Sequence, residues 1–211
     1  YKPVDRTLWG PGAPANLINA FYDPTKNDIT FPAAILQKPF YSSDNTLSEN
    51  LGGIGVVIAH EITHAFDPNG SKFDEFGNIR NWWSEEDYNK FTELSQAEIE
   101  LFDGIICGGL KTNGKLTVGE NVADLGGLTV AVETAKKENG NLQELFQAWA
   151  KIWRGKMMPQ FRKSIIAYDS HAPSELRSNV PAQCIDDFYQ TFNIQPIDGM
   201  WLDPEKRVHI W

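Results

Sequence analysis

The chain has 211 residues, 41% hydrophobic and 22% charged, with seven Trp and twelve Phe, a composition that buries a core and excludes disordered and coiled-coil classes. Its formal net charge of -9 argues against a nucleic-acid binder, which needs a basic face to displace counterions from phosphates. No apolar run reaches the roughly 20 residues that a membrane-spanning helix requires. The opening YKPVDRTLWG lacks signal-peptide architecture, and a start on Tyr1 rather than Met is what a fragment of a longer protein would show. The length predicts one domain over 1–211. Cys107 and Cys184 stand far apart with no CxxC pairing, so they read as small buried hydrophobes rather than as a disulfide framework or a cysteine zinc site.

In chain order, residues 17–22 and 28–35 read as two extended segments joined by the turn-rich DPTKN, which predicts a hairpin. Pro32 cannot donate to a ladder, so the second strand belongs at an edge, where an extended peptide could dock. Thr46 and Glu49 have capping-box spacing. Apolar Ile54, Val57, Ile58 and Ile62 then follow at helical intervals until Asp67 and Pro68, which predicts a central helix with apolar residues nearly all round. Gly52, Gly53 and Gly55 inside it imply close contact with a neighbouring backbone, since each costs about 1 kcal/mol against alanine in a helix interior. Residues 70–83 read as loop with a short hairpin.

A further helix starts at Ser84 and Asp87, with Tyr88, Phe91, Leu94, Leu101 and Phe102 facing inward, and Gly104, Gly108 and Gly109 close it. Helices are predicted from about Thr117 to Lys137 and from Asn141 to Gly155. After Pro173 come two short ones carrying Leu176 and then Ile185, Phe188, Tyr189 and Phe192.

The stretch VVIAHEITHAFD, 56–67, places two histidines and a glutamate in a helix this apolar, and such groups must be paired or bound to something. His60 and His64 lie one turn apart on one face, and Glu61 sits beside them. This is the HExxH arrangement, in which both imidazoles reach one ion and the glutamate reaches its water. A catalytic zinc takes three protein ligands, so a third lies downstream. His171 and His209 are candidates, although the metzincin extension HExxHxxGxxH is absent. A carboxylate is the alternative: GENVADLGG, 119–127, carries Glu120 and Asp124 four apart on one helix face. Thr117 and Glu120 also fit a capping box, which would make Glu120 an ordinary helix start, and spacing leaves the two readings equally open.

These segments resemble the neprilysin family of zinc metallopeptidases, which are gluzincins. The matching residues are NAFY (19–22), ITFPAAILQKPF (29–40), GGIGVVIAHEITHAFD (52–67), GENVADLGG (119–127), HAPSELR (171–177) and the closing Trp. The resemblance implies an α+β, mainly helical, thermolysin-like zincin fold with a small edge sheet. It implies one zinc ion held by His60, His64 and Glu120, with Glu61 as general base. Asp124 and Asp67 would support His60 and His64, fixing each imidazole's tautomer. His171, oriented by Asp169, would resemble the family's transition-state histidine, and Arg177 the arginine that binds a substrate carbonyl. Asn19 and Ala20 would hold the substrate backbone by strand addition. Ile35, Phe40, Val57 and Trp153 would line the pocket for the side chain after the cleaved bond.

Family members are several times longer, and a helical capping domain that precedes the catalytic part is missing from this chain. The ending EKRVHIW lacks a cysteine carried by membrane-bound animal members, so the resemblance is to a bacterial, soluble, cytoplasmic enzyme acting on peptide substrates. The implied activity is zinc-dependent endopeptidase cleavage on the amino side of large hydrophobic residues. The rival readings are a non-catalytic zinc-binding scaffold, inactive without the missing cap, and a closed structural zinc site.

Overall fold

The computed structural model describes residues 13–210. The opening YKPVDRTLWG and the closing Trp211 lie outside them. Strands β1 (Phe21–Asp23) and β2 (Asp28–Thr30) form the anticipated hairpin in the register Phe21 to Thr30, shorter than the sequence suggests. Asn27, at φ 51°, makes its turn, and Pro32 starts a 3-10 turn over Ala33–Ile35 instead of continuing the strand.

The helix predicted over 46–67 is one continuous rod of four parts. Thr46 caps α1 (Leu47–Asn50) in a complete capping box with Glu49; a π-helical turn over Leu51–Gly55 follows, then α2 (Val56–Thr63) and a 3-10 turn, His64–Phe66. The glycines explain the wide turn. A Cβ on Gly52 would sit 2.1 Å from the Leu145 carbonyl oxygen, and one on Gly53 would sit 2.2 Å from that of Phe40. At Gly55 it would meet only Asn50 and Leu51 of the same rod, so close approach to a neighbour does not account for that glycine. Nor is α2 central, because Ile58 and Ile62 are 39% and 50% exposed.

Helix α3 (Glu85–Phe102) is capped by Ser84, whose side chain accepts from the Asp87 amide. Phe91 and Phe102 point inward. Tyr88 does not: it is 44% exposed on the first turn, edge-on to Trp83. Gly108 and Gly109, both at positive φ, make the tight turn of a hairpin between β3 (Ile106–Cys107) and β4 (Leu110–Lys111), which the sequence reading does not contain.

The central element is α4 (Gly114–Lys137), which buries Val122, Leu125, Leu128, Val132 and Ala135 against α5 (Leu142–Ile152) and the chain's C-terminal part. Trp149 on α5 donates its indole N–H to the Ser178 carbonyl. Next come α6 (Pro159–Tyr168), also unpredicted, then α7 (Ser174–Gln183) and α8 (Asp186–Phe192). Pro173 stands just before α7, at its N-cap. The sequence shows no helical stripe for α6 because Phe161 and Tyr168 are exposed and Ile166 is its buried residue. Cys107 and Cys184 are buried free thiols.

Candidate metal and catalytic centre

Two helices make the site, and a glycine lets them meet. A Cβ on Gly127 of α4 would lie 2.8 Å from the Val56 carbonyl oxygen and 2.9 Å from the His60 amide, so α2 and α4 cross with backbones in contact. One and two turns before Gly127, Asp124 and Glu120 face the histidines. Asp124 Oδ1 lies 2.8 Å from His60 Nδ1, and Asp67 Oδ2 lies 2.6 Å from His64 Nδ1. Asp67 Oδ1 also accepts from the Asn69 and Gly70 amides, which pins the loop leaving the site.

The capping reading of Glu120 falls on where α4 begins. Asn113 is the N-cap and accepts from the Leu116 amide, while Gly114 fits against the Ile99 carbonyl in a space that no side chain could share. Thr117 accepts from Asn121 and donates to the Asn113 carbonyl. Glu120 therefore lies in the second turn, its carboxylate free to face α2.

With each Nδ1–H given to a carboxylate, both Nε2 atoms present lone pairs, and they face each other at 3.0 Å. Glu120 Oε2 completes a triangle, 3.4 Å from His60 Nε2 and 3.7 Å from His64 Nε2. That oxygen is buried and receives no well-directed hydrogen bond. Three acceptors converging in a buried space repel one another unless a cation or proton lies between them. A tetrahedral zinc with bonds near 2.0–2.1 Å has ligand–ligand edges of about 3.3 Å, so the triangle has the right size for one ion. Among the described residues, these three form the group whose ligand atoms converge within 4.8 Å. His209 does not line this site.

Electrostatics follow from the same contacts. Burial opposes charge on His60, but the adjacent carboxylates of Asp124 and Glu120 outweigh it and carry its pKa to about 9 in the metal-free protein. Burial likewise opposes ionisation of Glu120, and the surrounding histidines, His171 and His60 foremost, overcome it and hold its carboxyl far below the usual range. For Glu61 the pull of His60 and His64 does not offset burial, and its pKa is raised.

His171 receives its orientation from Asp169, which takes both its Nδ1 (2.7 Å) and its backbone amide (2.9 Å), and its Nε2 reaches within 3.2 Å of Glu120 Oε2. The neighbouring Glu120 raises the His171 pKa against partial burial. Arg177 forks onto Asp124 through Nε (2.7 Å) and Nη2 (2.8 Å), with its guanidinium 4.1 Å from the centre of the Trp153 ring. Asp124 thus holds His60 and Arg177 together, a double role the sequence does not reveal. Burial works against the charge of both Asp124 and Arg177, yet their pairing lowers the carboxyl pKa and raises that of the guanidinium.

His60, Glu61, His64, Asp67, Glu120, Asp124, His171 and Arg177 all open on a cavity of about 560 Å³. Asn19, Ala20, Ile35, Phe40, Val57 and Trp153, the residues that the resemblance implies for substrate binding, line it, and so do Trp149 and Ile152 of α5, which the resemblance did not supply.

Comparison with known proteins gives a consistent picture. The model of peptidase family M13 matches residues 19–208. A Lactobacillus helveticus protein named neutral endopeptidase is 50% identical over 210 residues, which is 100% of this chain and 32% of that protein. Endothelin-converting enzyme 1 of Bos taurus is 34% identical, matching 100% of this chain and 29% of its own length. Among solved structures, PepO from Lactobacillus rhamnosis HN001 superposes with a TM-score of 0.91 at 48% identity, covering 97% of this chain and 32% of that one. The Mycobacterium tuberculosis zinc metalloprotease Zmp1, in complex with an inhibitor, gives 0.94 at 38% identity, covering 100% and 35%. The chain spans about a third of the length of these relatives. Likeness at this level across 19–208 means that the chain belongs to peptidase family M13, the neprilysin family.

Proposed function

We propose that this chain forms the catalytic part of a zinc-dependent endopeptidase acting on short peptides, with one zinc ion held by His60, His64 and Glu120. The observation that carries the reading is the triangle of Nε2, Nε2 and Oε2 with Glu61 buried beside it. Zinc in such a site supplies Lewis acidity and lowers the pKa of water toward about 7. Glu61, its pKa raised by burial, is suited to take a proton from the attacking water and deliver it to the departing amine. His171, which the raised pKa keeps charged more readily, would donate to the developing oxyanion, a contribution of about 2.7–4 kcal/mol for one such donor. Arg177 commits Nε and Nη2 to Asp124, and this leaves Nη1 to donate to a substrate carbonyl.

Substrate binding follows from the lining. Asn19 and Ala20 run into β1, so a peptide added alongside them would lie extended across the site. Ile35, Phe40, Val57 and Trp153 form an apolar recess for a large side chain just after the cleaved bond. The bacterial relatives support a bacterial enzyme, with the cytoplasm as the proposed setting. Their greater length supports a larger enzyme of which this chain is one part.

The test is Glu61→Gln. Zinc content should stay at one per chain while peptide turnover falls by about 10²–10⁴-fold, the range typical of general acid–base catalysis. A variant that hydrolyses peptides at the unsubstituted rate would remove Glu61 from the mechanism. A zinc-loaded full-length protein that cleaves no peptide would favour the scaffold reading.

A further inference from the structure

Helix α4 brings Glu120 and Asp124 to α2, and α3 packs along α4, with Gly114 set against the Ile99 carbonyl. Phe91, Ser95, Glu98 and Phe102 make the buried stripe of α3. Glu98 stands out in that stripe: it is 1% exposed, and its Oε2 is buried without a partner. Ser95, one turn earlier on α3, and Asn121, one turn before Asp124 on α4, each bury an unpartnered oxygen as well. The mechanism uses none of the three.

Among the described residues, the groups that face Glu98 carry no positive charge. From α4 comes Asp124, itself 1% exposed, and from the end of α7 the Cys184 thiol, which burial and the nearby Glu98 push up to about 12. Arg207, whose charge reaches that thiol, is taken by Asp186. Asp124 is fully committed, to His60 Nδ1 at 2.8 Å and to Nε and Nη2 of Arg177 at 2.7 and 2.8 Å. An anion at Glu98 is therefore unpaired, and burial first and Asp124 second push its carboxyl up to about 8.

We propose that Glu98 is a positioning residue for the catalytic centre and acts through Asp124: uncharged, it leaves Asp124 undisturbed on His60 and Arg177, and charged, it repels Asp124 and turns the site down. This rests on the peptidase reading above, because it needs a reaction to turn down. The repulsion acts inside a closed seam, where salt screens it far less than at the surface. Water drawn toward a buried anion would also loosen the contact of α3 with the turn that carries Asp124.

The experiment compares the full-length zinc protein with its Glu98→Gln variant, which stays neutral at every pH, by kcat/KM for one neutral peptide between about pH 6 and about pH 9. The ratio of variant to parent should be flat up to about pH 7 and rise about tenfold by about pH 9, as a single group ionising near the stated value requires. A purely structural Glu98 would rescale the profile and leave the ratio flat, and ionisations that both proteins share, His171 included, cancel in it. A second readout needs neither zinc nor turnover. In chelator-treated protein, the pH dependence of the difference in melting temperature between parent and variant marks the midpoint of Glu98, which should fall by about one pH unit in an Asp124→Asn background. Where Asp124→Asn does not fold, Arg177→Gln replaces it, and the midpoint should rise, because Asp124 then keeps its whole charge. A flat ratio, or a midpoint that the background substitution does not move, overturns the proposal. Cleavage of the neutral peptide near neutral pH by the unsubstituted protein tests the parent reading separately; its failure there leaves the melting series to report on the coupling alone.

Discussion

Asp67 gives one oxygen to His64 Nδ1 and the other to the amides of Asn69 and Gly70, so a single carboxylate fixes both an imidazole and the loop behind it. Asp67→Asn turns one of those acceptors into a donor, and one of the two contacts must fail. Zinc affinity is expected to fall by about 10–100-fold, measured by competition with a chelator, because partners of this kind set the orientation and basicity of the ligand. Unchanged affinity would take Asp67 out of that role. Legibility at this scale depends on whether a contact is local. His60, Glu61 and His64 are readable because helical periodicity alone puts them together. Glu120 is not, since a ligand and a capping residue share the same spacing from Thr117. What decides between them is the fit of Gly114 against Ile99, a contact between two helices. The fork from Arg177 to Asp124 joins residues 53 positions apart, and no local pattern announces it.

Helix pairs carry the next level. Gly127→Ala would drive a methyl group against the Val56 carbonyl and the His60 amide, both under 3.0 Å away, and backbone cannot yield as a side-chain tip can. A loss of about 1–3 kcal/mol in stability is expected, together with weaker zinc binding, because α2 and α4 separate as the methyl is accommodated. Chemical denaturation and chelator competition on one sample would check both; normal stability with normal zinc affinity would mean the crossing is looser than it looks. The interface of α3 with α4 holds a different tension. Glu98 is 1% exposed, its Oε2 has no partner, and burial, aided by the charge of Asp124, pushes its pKa from 4.5 up to about 8. A carboxyl whose pKa rises on folding stabilises the fold fully below 4.5 and ceases to do so as pH climbs through 8. Glu98→Gln should therefore match the parent near pH 4.5 and melt higher at pH 8, by an amount on the order of a few kcal/mol. Two elements at this scale escaped the sequence for distinct reasons. The hairpin of β3 and β4 has strands of two residues, too short for any alternation, although the Gly108–Gly109 pair was a usable turn signal. Helix α6 keeps most of its surface in solvent, so its start at Pro159 was the remaining cue.

For the whole molecule, the site works as a clamp between α2 and α4, the pair on which much of the packing depends. The mainly helical class was legible from periodicity. Which helix lies at the centre was not, because apolar residues around α2 look alike whether another element covers them or they remain open, as Ile58 and Ile62 do. The clamp links stability to both metal and pH. Without metal, His60 keeps a proton up to about pH 9 against an ordinary value of 6.5. A histidine whose pKa rises on folding contributes stability that is complete below 6.5 and disappears as pH rises through 9, here roughly 3 kcal/mol. In the proposed coordination zinc would take the place of that proton, since ligating imidazoles must be neutral. Chelator-treated protein should therefore lose stability between pH 6.5 and 9, whereas zinc-loaded protein should hold it and gain a further ~2.7 kcal/mol at free zinc one hundred times Kd. Working in the Glu98→Gln background removes the overlapping contribution that fades between pH 4.5 and 8, so the remaining slope belongs to the clamp. Calorimetry in buffers of different ionisation enthalpy should count about one proton released per zinc at pH 7.5. Zinc uptake with no proton release, and identical pH profiles with and without chelator, would show that no cation replaces a proton between these imidazoles.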